Sequence, residues 1–318
     1  MRQAKKATYR VRNWSEYNAA LVKRGSLDIW IDEAIAKDWE NQEQTGERGH
    51  PEVYKDSWIE LIVTLGMVYK LRLRQLEGFM QSLLELAVWQ GIRVPDFSTL
   101  SRRRRNLNVQ VSLRKFSEAI TVVVDSSGAK VYGEGEWKVK IHGKSKRCTW
   151  RKFHLAIEPE TNEILNLEVS TNDVTDDEML SEVLEGIDET IKIEQVCGDG
   201  SYDRTNSYQV IAKHQAKATI PPRKDAKITQ HGNSNAPPLD RDENLRAIRK
   251  HGRKHWKQTS GYPQRSKAET GVFGYKTIIG HTLSSRHFDS QCVELKLGGK
   301  ILNHIAALGM PVSEPVLP

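Results

Sequence analysis

Thr121-Val-Val-Val-Asp125 is the stretch on which the fold turns. A continuous β-branched run without polar alternation is the pattern of a strand covered on both faces. It ends in a carboxylate, and side chains at the carboxyl edge of such strands are where open α/β sheets place ligands. Working outward, Trp150-Arg-Lys-Phe-His-Leu-Ala-Ile157 and Glu163-Ile-Leu-Asn-Leu-Glu-Val169 flank Glu158-Pro-Glu-Thr-Asn162, so they predict a hairpin. Thr175 with Glu178 three residues on predicts a capping box, opening a helix whose apolar stripe is Met179, Leu180, Val183, Leu184 and Ile187. Then come a strand over Ile193 to Asp199, a helix near Asn206 to His214 and a strand over Ala216 to Ile220. About forty polar, basic, Gly/Pro/Asn-rich residues follow and are expected to form a long loop. Helices around Gln264 to Lys276 and Gln291 to Leu308 close the chain. The order β-β-β-α-β-α-β-α predicts an α/β domain, 116–318, with a mixed sheet and flanking helices.

Upstream, 1–50 read as a polar arm with one short helix, Leu27 to Asp38, and a loop from Gly46 to Pro51. The segment 51–115 is expected to be all-helical. Trp58, Ile62, Leu65 and Tyr69 recur at helical spacing; a second helix spans about Arg72 to Trp89, with Val88 inward and Gly91 suited to its C-terminal cap. A third, capped by Asp96 or Ser98, runs through Arg102, Arg103, Arg104 and Arg105. Helices joined by a Gly-containing turn, the last strongly basic, fit a helix-turn-helix that contacts DNA; a bundle with a solvated basic face fits the same letters.

With 48 Lys and Arg against 41 Asp and Glu, the chain carries a formal charge of +7 and favours an anionic partner, nucleic acid first. Hydrophobic residues at 38% and charged residues at 28% describe a folded polar-surfaced protein rather than a disordered one. No run is long and apolar enough for a membrane span, and Met1-Arg-Gln-Ala-Lys-Lys leads into no signal core, so a cytoplasmic protein is expected. Cys148, Cys197 and Cys292 are far apart and lack zinc-ligand spacing; neither do His142, His154 and His281 suggest ligation.

Three acids stand out by position. Asp125 ends the first strand, Asp199 ends the fourth within Cys197-Gly-Asp-Gly-Ser201, and Glu269 lies in a late helix. If those strands are neighbours and that helix packs across them, three carboxylates converge. Such convergence calls for cations, and hard oxygen donors suit two Mg²⁺ ions, or Mn²⁺ in their place, the arrangement of phosphodiester chemistry. Read singly, each acid is as well an ordinary cap, turn or surface residue.

That order of acids resembles the RNase H-like fold of the DDE transposases and retroviral integrases. Val123-Val-Asp-Ser-Ser-Gly-Ala-Lys-Val-Tyr-Gly-Glu-Gly-Glu-Trp-Lys138, Thr149-Trp-Arg-Lys-Phe-His-Leu-Ala156 and Gly198-Asp-Gly-Ser-Tyr-Asp203 resemble transposases of bacterial insertion sequences of the insertion-sequence-five family. Their signature Y-x2-R-x3-E-x6-K is met by Tyr262, Arg265, Glu269 and Lys276. Ser126-Ser127 stands where relatives often carry Ser-Thr. The resemblance, over about 55–310, implies cleavage at the ends of an element, strand transfer into double-stranded target DNA, divalent metal on Asp125, Asp199 and Glu269, and a homodimer or larger synaptic assembly. On the signature helix Arg265 and Lys276 share the flank of Glu269 and can position phosphates, and Tyr262 can hydrogen-bond a phosphate or stack on a base. Arg253, Lys254 and Trp256 sit in a cationic stretch that could hold DNA, Trp256 by stacking on a base, or else packing under the loop. The rival readings are a metal-dependent nuclease that does not join strands and a catalytically silent DNA-binding regulator descended from a transposase.

Overall fold

A computed structural model describes 8–40, 53–87, 89, 91–112, 114–132, 149–230 and 238–316. The loop from Gly46 to Pro51, Val88, His142, Cys148 and the motif positions 133–138 lie outside the described residues. The chain divides into two compact units, Met1–Leu107 with His304–Pro318, and Asn108–Asn303.

The first unit is built on α3 (Asp56–Val68), α4 (Leu73–Leu86) and α5 (Phe97–Arg103). Trp58, Ile59, Ile62 and Leu65 of α3 are fully buried, with Leu76 and Met80 of α4 and Leu100 of α5. Asp96 caps α5 by accepting from the Ser98 and Thr99 amides, as its side-chain chemistry dictates. Hydrogen bonds from the Ser98 hydroxyl and from Thr99 hold its carboxyl down at about 2. α4 stops at Leu86, so Gly91, with φ at 83°, serves the turn beyond rather than the helix cap. The arm differs from its reading. It carries β1 (Thr8–Val11), α1 (Trp14–Lys23) and only a short α2 (Glu33–Lys37), and β1 pairs antiparallel with β7 (Ser313–Val316). The compact unit thus joins these helices to a two-stranded sheet. A four-residue strand whose partner lies some three hundred residues away leaves no local signal.

The second unit is a five-stranded mixed sheet in the order β4-β3-β2-β5-β6. β2 (Ile120–Tyr132), β3 (Thr149–Ile157) and β4 (Ile164–Ser170) form an antiparallel meander; β5 (Ile193–Cys197) and β6 (Lys217–Thr219) run parallel to β2. The β-branched run does what its composition requires. Val122 and Val124 pack on one face with Leu180, Val183 and Leu184 of α6 (Leu180–Glu185) and Tyr208 and Ile211 of α7 (Thr205–Lys213). Val123 packs on the other with Ala268 and Tyr275 of α10 (Ser266–Ile278) and Leu295 of α11 (Phe288–Leu308). Thr175 and Glu178 do bond, the Thr175 amide donating to the Glu178 carboxylate at 2.8 Å, but they close a turn ahead of α6.

The expected long loop after β6 is not one. It contains α8 (Asp240–His251) and α9 (Arg253–Thr259). α8 has almost no apolar stripe because polar groups dock it on the edge strand. Asp240 accepts the Ala218 amide at 2.6 Å and Asn244 donates to the Ala218 carbonyl at 3.0 Å, so β6's free edge is covered by side-chain bonds.

Candidate active site

The register of the parallel pair brings the first two acids together. Val123 of β2 stands opposite Cys197 of β5, so Asp125 and Asp199, each two residues further on, leave adjacent strands at one level and on one face. Strands in a sheet are about 4.8 Å apart. β2 does not end at Asp125, as the sequence suggests; it runs on to Tyr132 beside β3, and Asp125 marks where β5 stops pairing and the strand loses its cover on that side. Asp199 caps the turn Gly200–Tyr202 by accepting the Ser201 amide at 2.8 Å, which fixes its carboxylate at the strand end.

α10 crosses the same face. Ala268 and Tyr275 are buried, the Tyr275 ring lies 5.1 Å from Phe153, and a Cβ on Gly271 would come within 2.5 Å of the Ile157 side chain. Gly271 thus lets the helix lie close on the sheet, which fixes its rotation. Glu269, one residue past Ala268, projects from the flank of the helix and is exposed. The charges of Asp199 and Glu269 both reach Asp125: burial pushes the Asp125 carboxyl up, the Ser126 amide and Arg265 oppose this, and the two neighbouring acids add to it. The three acids therefore belong to one electrostatic group. Among the described residues, however, no three acidic, His or Cys side chains stand close enough to hold an ion. Glu269 is turned to Arg265, with which it forms an ion pair.

Tyr262 joins the same group. Its ring is half-buried beside Trp256, at 5.6 Å, with the Lys257 ammonium 5.1 Å from its centroid. Burial raises its hydroxyl's pKa, Arg265 lowers it, and Asp199 and Glu269 raise it further. The turn that carries it is tied down by Gln195 of β5, whose amide donates to the Ser260 carbonyl at 2.7 Å, and Gly261 turns there with φ at 81°. Lys276, half-buried, lies two turns beyond Glu269 on the same flank.

The remaining expected contacts fare unequally. Trp256 is buried, only 3% exposed, and its indole donates to Asn244 at 3.0 Å, so it braces α9 on α8 and offers no face to a base. Arg253 donates to the Pro222 carbonyl at 2.7 Å, while Lys254 is exposed. Arg103 is buried and paired with Asp56 at 2.7 Å, which locks α5 on α3 and withdraws it from any DNA surface. Arg102 is exposed, its guanidinium 3.2 Å from the Thr99 hydroxyl, and Arg104 and Arg105 are half-buried.

Two structural residues of the site escape sequence reading. Asp203, the last letter of the Gly198–Asp203 motif, is wholly buried and accepts from the Tyr208 hydroxyl at 3.1 Å, the Arg223 amide at 2.8 Å and Arg241 of α8 at 2.9 Å. It ties the Asp199 turn to α8. Arg241 lies in what reads as loop, so the pairing has no local signal.

Two family models, each described as a transposase DDE domain, match the chain, one over residues 22–134 and the other over 117–290. The second spans more than half of the sequence. The chain belongs to the transposase DDE-domain family. Domains of this family generally work with divalent metal ions. Among solved structures, this DDE-domain chain is similar to that of the Drosophila P element transposase strand transfer complex, with 11% identity and a TM-score of 0.29. The match covers 77% of this chain and 63%, less than two thirds, of that one. No described helix is long and apolar enough to cross a membrane.

Proposed function

We propose that this DDE-domain protein is the transposase of a bacterial insertion sequence of the insertion-sequence-five family, which binds the element's terminal inverted repeats, cleaves there and transfers the strands into target DNA. The observation that carries the reading is the register that sets Val123 opposite Cys197, two residues short of Asp125 and Asp199, with Glu269 on the helix that crosses that face and the charges of both other acids felt at Asp125. The sheet order, an antiparallel meander extended by two parallel strands, supports an RNase H-like fold.

The donor set suits a divalent cation. Asp125 is half-buried beside two further acids, and its carboxyl is pushed up by burial and by their charges, which a hard cation would correct. Asp125, Asp199 and Glu269 would hold two Mg²⁺ or Mn²⁺ ions, which supply activation of the attacking oxygen and neutralise charge on the departing one. The chain's own part is geometric. β2 and β5 present two carboxylates at fixed spacing, and α10 brings the third once Arg265 releases it. Arg265, freed in the same exchange, turns its guanidinium to the backbone phosphate, and Lys276 extends the cationic flank. Transfer then forms one phosphorus–oxygen bond to the incoming hydroxyl as the bond to the leaving 3′-oxygen breaks, the first oxygen giving up its proton to solvent and the leaving oxygen taking one from it. Arg102, Arg104, Arg105 and Lys254 serve as backbone contacts, and a homodimer or larger assembly brings two ends together.

Cleavage and joining of DNA carrying the element's ends, with Mg²⁺ against a chelator, tests the proposal. Asp125→Asn, Asp199→Asn and Glu269→Gln should each abolish both steps while end binding persists, since charge rather than volume is removed. Near-normal joining by any one removes that residue from the site; cleavage without joining makes the protein a nuclease.

A further inference from the structure

We propose that Phe273 is a base-contacting residue, which stacks on an unpaired nucleobase of the DNA strand entering the active site. The inference rests on the proposed function and names a specificity-bearing contact within it.

The rotation of α10 is fixed by Ala268, Gly271 and Tyr275 against the sheet. At about 100° per residue, Arg265, Lys276 and Glu269 then fall within roughly 40° on one flank, and Phe273 lies about 40° beyond Glu269, on the side of the helix turned away from the sheet. Its side chain is 69% exposed, the most exposed large apolar residue among the described residues of this unit. Ile278 and Phe288 follow at 36% and 39%, and the Phe288 ring carries the Arg151 guanidinium at 5.3 Å. A solitary exposed phenyl is ordinary on a protein surface. This one stands about 6 Å along the helix axis from Glu269, less than two base steps of about 3.4 Å.

The surroundings point to a nucleic-acid strand. Between Glu243 and Glu269 the sequence contains no acidic residue, while Arg246, Arg249, Lys250, Arg253, Lys254 and Lys257 lead up to Tyr262 and Arg265. A cationic track with an aromatic platform is how strands are held without reading their sequence, because every base has a π face. The other two aromatics on this approach are engaged within the protein: Trp256 is buried on Asn244, and the Tyr262 ring is packed between Trp256 and Lys257. The Phe273 side chain, by contrast, is mostly in solvent.

The test uses the full chain and a fluorescent forked duplex with a single-stranded thymidine arm, alongside the same duplex fully paired. Phe273→Ala should weaken binding of the forked DNA roughly ten- to a hundredfold, leave the paired duplex nearly unaffected, and keep the thermal midpoint, because the side chain is mostly exposed. Phe273→Trp should restore forked binding. A 5-iododeoxyuridine in the arm should cross-link on irradiation to the peptide carrying Phe273. Forked binding unchanged in Phe273→Ala overturns the inference and leaves the proposed function standing. A change of oligomeric state with DNA affinity intact also overturns it, in favour of a protein contact. If the unsubstituted chain binds neither DNA, the proposed function fails and takes the inference with it.

Discussion

Asp203→Ala should be among the most destabilising single substitutions in the second unit, although Asp203 belongs to no proposed metal site. Its carboxylate is fully buried and satisfies the Tyr208 hydroxyl, the Arg223 amide and Arg241, whose side chain is 16% exposed. Removing the acid leaves a guanidinium without this counter-charge, the Arg223 amide unpaired and the Tyr208 hydroxyl with only the Ile220 carbonyl at 3.5 Å. Breaking a buried pair from one side costs about 3–5 kcal/mol, against well under 1 for a surface pair. For a unit of this size each kcal/mol moves the midpoint by about 2–4 °C, so a fall of roughly 6–20 °C is expected. Thermal melts of Asp203→Ala, Arg241→Ala and the double variant give the coupling directly. The double variant should be more stable than the sum of the singles implies, by at least about 1 kcal/mol, because the second substitution removes the orphaned partner. Additive effects, or a midpoint for Asp203→Ala within about 2 °C of the parent, would refute the reasoning. Below both midpoints the variant should also lose strand transfer, since the turn bearing Asp199 is no longer tied to α8.

Asp125→Asn should raise the midpoint of metal-free protein. Burial, with Asp199 and Glu269, lifts the Asp125 carboxyl above its ordinary value, so the folded chain holds that proton longer and loses stability as pH rises from the ordinary range through the raised one. Melts at pH 7 with a chelator check this, and a lower midpoint for the variant contradicts it. Arg265→Ala should bind Mn²⁺ up to about fivefold more tightly by thermal shift, because an exposed ion pair worth at most about 1 kcal/mol no longer competes for Glu269. The same variant should transfer strands at least about tenfold more slowly for want of phosphate alignment; unchanged affinity and rate together would make the pair incidental. His154, buried on the Ser170 hydroxyl at 2.9 Å, is pushed down to about 4 by burial, Asp176 opposing and Lys152 assisting. Its neutral form is the folded one, so stability should fall as pH drops from 6.5 toward 4, and His154→Gln should flatten that slope; an identical slope assigns the loss to other groups.

The legibility of this chain follows from where each signal is stored. A β-branched run buried on both faces is written in consecutive letters, so the strand at Asp125 and the hairpin after it can be read directly. Their convergence with Asp199 depends on which strands are neighbours, and the sequence offers that only as a condition. α8 and α9 were hidden for a different reason. Sequence periodicity detects apolar stripes, but α8 is docked through Asp240, Asn244 and Asp242, the last of which accepts the Thr229 and Gln230 amides. Polar anchors and a solvated polar loop have the same composition.

The four consecutive arginines carry the point furthest. Arg102 to Arg105 are identical letters in one helical turn, and counted as charge they are equivalent. Successive residues on a helix point about 100° apart, so they cannot all face one partner. Arg103 meets Asp56, forty-seven positions away, and becomes a buried strut, whereas Arg102 stays in solvent. The same reasoning divides Arg253 from Lys254, and Trp256 from Phe273. In each case the residue type sets what a side chain can do, and the helix phase against a distant partner decides whether it is free to do it. A charge count that favours DNA is therefore a statement about the molecule as a whole, and only exposure on a fixed helix flank turns it into a statement about a residue.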